Sequence, residues 1–396
     1  MNLIPFPNEA LRVGATLSFD LHDAGGRLLL SAGTRLDSAA ALERLRGTEL
    51  FVDETKTEDW RRRQVEAMDT KLLQNAAIKD IVAARPTAAA RAPVREFDGI
   101  TQLDDCTLAL ERVLRDIGPD PDWVPRLQAL HDAMLRLYRR RPDAALYWLL
   151  YQCAHSTAHY SSQHALLCAL VARETALQLG WADERLVDIT VAALTMNVSM
   201  QRLQDRLASA PALITAPMRA EIASHPERSA TMLAGAGASE RIVAIVRLHH
   251  ENDGRPLDAL DACGQAARLL HRADVFTAKL SRRHDRAPMS PLQAARDSFL
   301  GPGGVPDTIG AALLKAVGMY PPGSFVELQS GERGIVIARG RQANLPLVAA
   351  LVSASGMPLA VPVLRQSSDR RHAVKSALAA NAVKVIPPHE KLMALA

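Results

Sequence analysis

Five residues carry ligand chemistry at a telling spacing. His164, His225, the pair His249-His250 and Asp274 lie about 25 to 60 residues apart, each on a stretch that reads as helix. Imidazole nitrogens and a carboxylate delivered by successive helices of a bundle suit a di-iron or di-manganese hydrolase centre. Plainer readings stand beside this one. A buried histidine such as His164 can be a satisfied core residue, and Asp274 can cap a helix or pair with Arg268 or Arg272. His155 and His159 are one helical turn apart and could chelate, or simply belong to a solvated face. Arg247, Arg255, Arg268, Arg272, Arg282 and Arg283 lie near these ligands in sequence. Guanidinium groups hold phosphates bidentately and stack on bases. Arg272 and Arg283 are therefore the nucleotide-binding candidates, against the alternative of ordinary surface arginines in an Arg-rich chain.

The elements that must position these residues read as mainly α. The chain has 396 residues, 48% hydrophobic and 23% charged, enough for two or three domains. Aromatics at 4% are scarce while Ala and Leu abound, which favours helices packed through small side chains. The 47 basic and 43 acidic residues leave a formal charge of +4, too balanced to imply nucleic-acid binding. Cys106, Cys153, Cys168 and Cys263 have no paired spacing, so zinc-ribbon and thioredoxin-type readings fail and a reducing compartment is expected. Met1 to Ala10 shows no export signal, and the longest apolar run, Ala144 to Tyr151, is too short to span a bilayer. A cytoplasmic protein without a membrane partner is the expectation.

Residues 1–56 read as a small β-rich domain. Leu11 to Leu21 and Arg27 to Leu30 are strand-like about the turn Asp23-Ala24-Gly25-Gly26, with a short helix from Ser38 to Leu45 and a returning strand from Glu49 to Val52. Residues 57–102 hold a helix from Thr57 to about Ala84, then an Ala/Pro-rich linker. Residues 103–320 read as consecutive helices: Trp123 to Tyr138, Asp143 to Cys153, Ser161 to Leu179 with His164, Glu184 to Thr195, Pro217 to Ala234 with His225, Ser239 to His250 with the pair, and Gly264 to Leu280 with Asp274. Residues 321–396 alternate as a compact β-rich subdomain. Ser324 to Leu328 and Gly334 to Ala338 form one hairpin, Leu347 to Val352 and Met357 to Val363 a second.

At these helices the chain resembles the HD-GYP branch of the HD-domain phosphohydrolases, an all-helical, metal-dependent group whose best-known substrate is cyclic di-GMP. Tyr160 to Leu167 (YSSQHALL) looks like the family's first histidine helix, and Glu221 to Pro226 (EIASHP) like its third ligand segment. His249 to Gly254 (HHENDG) is similar to its paired-histidine motif, the most specific match. Ala273 to Ala278 (ADVFTA) resembles its final aspartate helix, and Gly318 to Leu328 (GMYPPGSFVEL) its exit into a short β tail. The likeness spans roughly residues 155 to 340.

The departures matter as much. Ala193-Leu194-Thr195-Met196-Asn197-Val198 places Met196 and Asn197 where the family has its His-Asp pair, and Met200 where a lysine often follows. Arg255-Pro256-Leu257 stands where the Gly-Tyr-Pro signature is expected, and Tyr160 where three-metal members carry a glutamate. The HDOD domains also lack the pair, but the retained paired histidines and final aspartate favour HD-GYP. In the family that aspartate bridges two metals; Asn197 is neutral and cannot bridge comparably, and a thioether suits iron(II) or manganese(II) poorly. The resemblance implies at most one divalent ion, held by His225 with His249 or His250, or none.

Three functional readings follow. The first is a regulatory sensor or scaffold without turnover, with a signalling protein as partner. The second is an active metal-dependent cyclic di-GMP phosphodiesterase, its second metal position rebuilt by His155 or His159. The third is a receptor that binds cyclic di-GMP or a related nucleotide without hydrolysis.

Overall fold

A computed structural model describes residues 99–395 apart from 119, 212, 252–253 and 301–303, and, nearer the N-terminus, residues 3–6, 11, 17, 20–31, 34–36, 43, 45 and 48–53. The chain divides into two units, Met1–Glu96 and Phe97–Ala396. The expected helix from Thr57 and the Ala/Pro-rich linker lie outside the described residues, as does most of the expected helix from Ser38.

In the first unit Asp23 organises the turn. Its Oδ1 accepts from the Gly25 and Arg27 N–H groups, and Gly26 takes a φ of +79°. The turn joins β2 (Leu21–His22) to β3 (Leu28–Leu30). With β1 (Leu3–Phe6) and β4 (Leu50–Asp53) they form a four-stranded antiparallel sheet in the order β1-β4-β2-β3. The strand at Leu3–Phe6 was not anticipated. It pairs Leu3 with Asp53 and Phe6 with Leu50, a contact between chain positions that local alternation cannot reveal. Leu11, Leu17, Leu21, Leu36, Leu50 and Val52 make the unit's own core.

The second unit is built around one helix. α4 (Tyr160–Gln178) follows α1 (Gly99–Arg115), α2 (Trp123–Arg140) and α3 (Pro142–His155). Nearly all of α4's residues are buried, so it carries no polar face and can only be a central helix. Around it lie α5 (Asp183–Thr195), the short α6 (Gln201–Ser209), α7 (Ala216–Gly235), α8 (Glu240–Leu248) and α9 (Ala262–Leu280). Then come α10 (Pro291–Phe299) and α11 (Thr308–Val317). α4 packs against α5, α9, α11, α3 and α1. Helix starts are set by side-chain caps: Asp261 Oδ1 accepts from Gly264 N–H at 2.7 Å for α9, and Asp307 Oδ1 from Gly310 N–H at 2.7 Å for α11.

Five strands follow: β5 (Phe325–Leu328), β6 (Arg333–Ala338), β7 (Leu347–Val352), β8 (Pro358–Gln366) and β9 (Val374–Ala377). They form an antiparallel sheet in the order β8-β7-β6-β5-β9. Both expected hairpins are present, β9 is an additional edge strand, and α12 (His389–Ala394) closes the described chain. Phe325, Ile335, Ile337, Ala349 and Leu351 belong to the same apolar core as the helices, so this sheet is part of the helical unit. Gly323 makes the approach possible. Its φ is +91°, and a Cβ there would come within 2.5 Å of Tyr147 O on α3.

Candidate metal centre

Of the sequence-predicted ligands, the structure brings three into one set. Donor nitrogens of His225, His249 and His250 lie within 4.8 Å of one another. His225 and His249 are buried, while His250 is exposed at the rim.

The local sequence fixes the first ring through a proline. His225 and Pro226 sit inside α7, and Pro226 has no N–H, so the Ile222 carbonyl four residues back lacks its helical donor. His225 Nδ1–H donates to that carbonyl at 2.5 Å instead. His249 is fixed by the other common source of free carbonyls, a helix end. It follows Leu248, the last residue of α8, and its Nδ1–H donates to Val246 O at 2.6 Å. The sequence expectation had α8 running through His250; in fact the helix stops just before the pair, which frees the carbonyl that orients it. Asn252 and Asp253 of the same motif lie outside the described residues.

A carbonyl can only accept, so Nδ1 carries the proton on both rings and Nε2 carries the lone pair when the ring is neutral. Both rings are held neutral. Burial depresses the His225 pKa below the ordinary histidine value, and burial together with the charge of His250 takes His249 down to about 3. His250, although exposed at the rim, is lowered to about 4, chiefly by the partial desolvation of its ring. The two Nε2 atoms nevertheless face each other at 3.2 Å. Facing lone pairs repel unless a cation lies between them. Two nitrogens at the usual zinc–nitrogen distance, across a tetrahedral angle, stand about 3.3 Å apart. The donor set therefore fits one divalent ion.

The other predicted pair is engaged with itself. His164 Nε2–H donates to Asp274 Oδ1 at 2.7 Å, and Tyr160 stacks on the His164 ring with centroids 5.9 Å apart and planes 2° from parallel. Asp274 thus pairs with neither Arg268 nor Arg272 but with His164. Burial alone would raise its carboxyl pKa; His164, with His249 and His250, outweighs burial and holds it well below the usual carboxylate range. Met196 caps the end of α5 fully buried in the apolar core, and Asn197 just before, and Met200 at the end of, a single 3₁₀ turn at Val198–Met200 are partly buried.

The remaining candidates separate. Arg272 does not join the site: its guanidinium donates to Ser298 O at 2.7 Å and to Asp307 Oδ2 at 2.8 Å, a structural tie between α9, α10 and α11. Arg283 reaches Tyr160 on α4. Its Nε donates to Tyr160 Oη at 3.0 Å, over the ring that stacks on His164. Arg247 pairs with Glu227. Arg255 and Arg268 line a cavity of about 890 Å³, with Leu257, Gln265, Phe299 and Ile309, beside the loop that leaves His250. His155 bonds Tyr151 O and Ala380 O, and His159 bonds Glu111 at 2.6 Å, so neither supplies a ligand to the histidine set.

One residue was missed. His271, three positions before Asp274 on α9, sets its ring against His250 with centroids 5.0 Å apart and planes at 79°. The i, i+3 spacing from a proposed ligand was the available signal.

Residues 149–297 match the HD domain family. A cyclic di-GMP phosphodiesterase of Pseudomonas aeruginosa is 29% identical over 217 residues, covering 53% of this chain and 51% of that protein. The chain thus spans about half the length of the curated relative it matches. Among solved structures, an HDG"Y"P protein from Bdellovibrio bacteriovorus aligns over 79% of this chain and 98% of its own, with a TM-score of 0.40 and 13% identity. Among the described residues, no helix is long and apolar enough to cross a membrane.

Proposed function

We propose that this chain, which carries an HD domain over residues 149–297, binds cyclic di-GMP or a related nucleotide without turning it over and serves as a regulatory module in bacterial signalling. The observation that carries this reading is the pairing of a fully buried Met196 and a neutral Asn197 at the bridging position. A two-ion hydrolase needs a carboxylate there to hold both cations at a fixed separation. Thioether and amide groups do not provide it.

One ion at His225, His249 and His250 would place a fixed positive charge beside the loop that follows the histidine pair. The chain's own residues then bind and orient. The cavity lined by the loop that follows the histidine pair has the size of a ligand pocket, with Arg255 and Arg268 in its lining. Arg283, stacked above Tyr160, offers a further cation near the His164–Asp274 pair. Arg272 has no part in ligand binding under this reading, because its guanidinium is held by Ser298 O and the Asp307 carboxylate.

The second reading, an active cyclic di-GMP phosphodiesterase, draws on the P. aeruginosa relative. It needs a second ion site, and the two histidines that could have rebuilt one are bonded elsewhere. Calorimetry with cyclic di-GMP, followed by chromatography of the same sample, separates the readings. Saturable binding with intact nucleotide supports the first; linear product formation supports the second.

A further inference from the structure

We propose that His271 completes a mononuclear four-histidine site with His225, His249 and His250, and that this site takes a zinc-class ion in place of iron or manganese. The inference rests on the single-ion reading of the site and adds a ligand and a metal class to it.

Three observations bear on it. His271 Nδ1 is shut off from solvent and has no hydrogen-bond partner. A buried ring nitrogen left without a partner carries a desolvation cost, and a missing ion or water is a standard reason for one. The ring meets His250 edge-on at 5.0 Å, directly beside the three-donor set. Finally, α9 presents His271 and Asp274 one turn apart, so the helix that carries the aspartate also brings the extra imidazole to the same side. His271 lies outside the 4.8 Å circle of the other three donors. Ligation takes a swing of its side chain, which no hydrogen bond to Nδ1 opposes.

The donor set then decides the metal. Manganese(II) and iron(II) sites of the hydrolase type lean on carboxylates, which also hold a second ion. Here the converging donors are imidazoles, and the carboxylate of Asp274 is bonded to His164 at 2.7 Å. Four nitrogen donors in a tetrahedral arrangement suit zinc(II), which also stands above manganese and iron in intrinsic affinity for nitrogen.

The test uses the full chain stripped of metal, with cobalt(II) as the spectroscopic probe and zinc(II) and manganese(II) in competition against a chromophoric chelator. The expected result is one ion per chain, intense tetrahedral cobalt bands, and displacement of manganese by equimolar zinc. His271→Ala should weaken zinc binding by at least about tenfold and dim the cobalt bands. His271→Phe, which keeps a ring against His250, serves the same purpose if the alanine variant does not fold. Zinc affinity and cobalt spectra unchanged in the folded variant, two ions per chain, or a preference for manganese would overturn the proposal. Nucleotide turnover is not read in this experiment. A chain that hydrolyses cyclic di-GMP yet binds zinc through His271 would defeat the functional reading and leave this one standing.

Discussion

Replacing Pro226 should make the protein more stable and its metal site weaker, an unusual pairing of signs. In Pro226→Ala the new backbone N–H would donate to Ile222 O, the carbonyl that now accepts from His225 Nδ1–H at 2.5 Å. Alanine in a helix interior is favoured over proline by about 3 kcal/mol, and the displaced hydrogen bond from His225 takes back about 1 kcal/mol, for a net gain of about 2 kcal/mol. For a unit of this size that is a rise in Tm of about 4 °C. The cost falls on His225. With its carbonyl shared, the ring loses its fixed tautomer and direction, and loss of such an orienting partner weakens metal binding by about tenfold. Thermal melts of metal-stripped protein and zinc(II) titrations of both forms measure the two effects separately. A raised Tm with unchanged metal affinity would refute the idea that the proline-freed carbonyl aims His225.

Other perturbations follow from the same geometry. The double variant Met196→His with Asn197→Asp should bind a second equivalent of manganese(II), measured by native mass spectrometry; retention of a single ion would mean the pair's absence is not what limits the site. Arg272→Ala removes one partner of a largely buried ion pair and should cost about 3 kcal/mol in urea denaturation while leaving cyclic di-GMP affinity unchanged. Loss of nucleotide binding without loss of stability would instead place Arg272 in the ligand site. His389 bonds Tyr147 Oη at 2.9 Å, and burial, reinforced by His155, lowers its pKa from 6.5 to about 4. Its folded-state pKa lies below the unfolded value, so its contribution is fully present above pH 6.5 and is lost as pH falls toward about 4. Stability measured across that window should fall less steeply in His389→Phe than in the wild type, and an identical slope would exclude His389 as the group responsible.

Much of the helical architecture was legible because periodicity and caps are local. The helices bearing His164, His225 and Asp274 begin and end within a residue or two of where those signals place them. What was not legible depends on contacts between distant segments. Arg272 looked like a phosphate ligand because it neighbours Asp274 in sequence; its partner Asp307 lies 35 residues on, beyond a helix the sequence reading did not resolve. The spacing of His155 and His159 fits a chelating pair or a solvated face; their partners, Ala380 O and Glu111, lie on segments far along the chain. The β9 strand escaped notice for the same reason, since it pairs back to β5 across the intervening hairpins. In the sequence Pro226 stands only as the last residue of the EIASHP segment. Its consequence, a carbonyl freed to orient the preceding histidine, follows from helix geometry once the segment is known to be helical through that residue.

A chain without the bridging pair is expected to bind nucleotide and leave it intact. The most direct test is cyclic di-GMP incubated with the pure protein, loaded anaerobically with iron(II) or manganese(II) and followed by chromatography. Intact nucleotide after prolonged incubation is the expected result. Linear product formation that disappears in His249→Ala would contradict it and establish an enzyme.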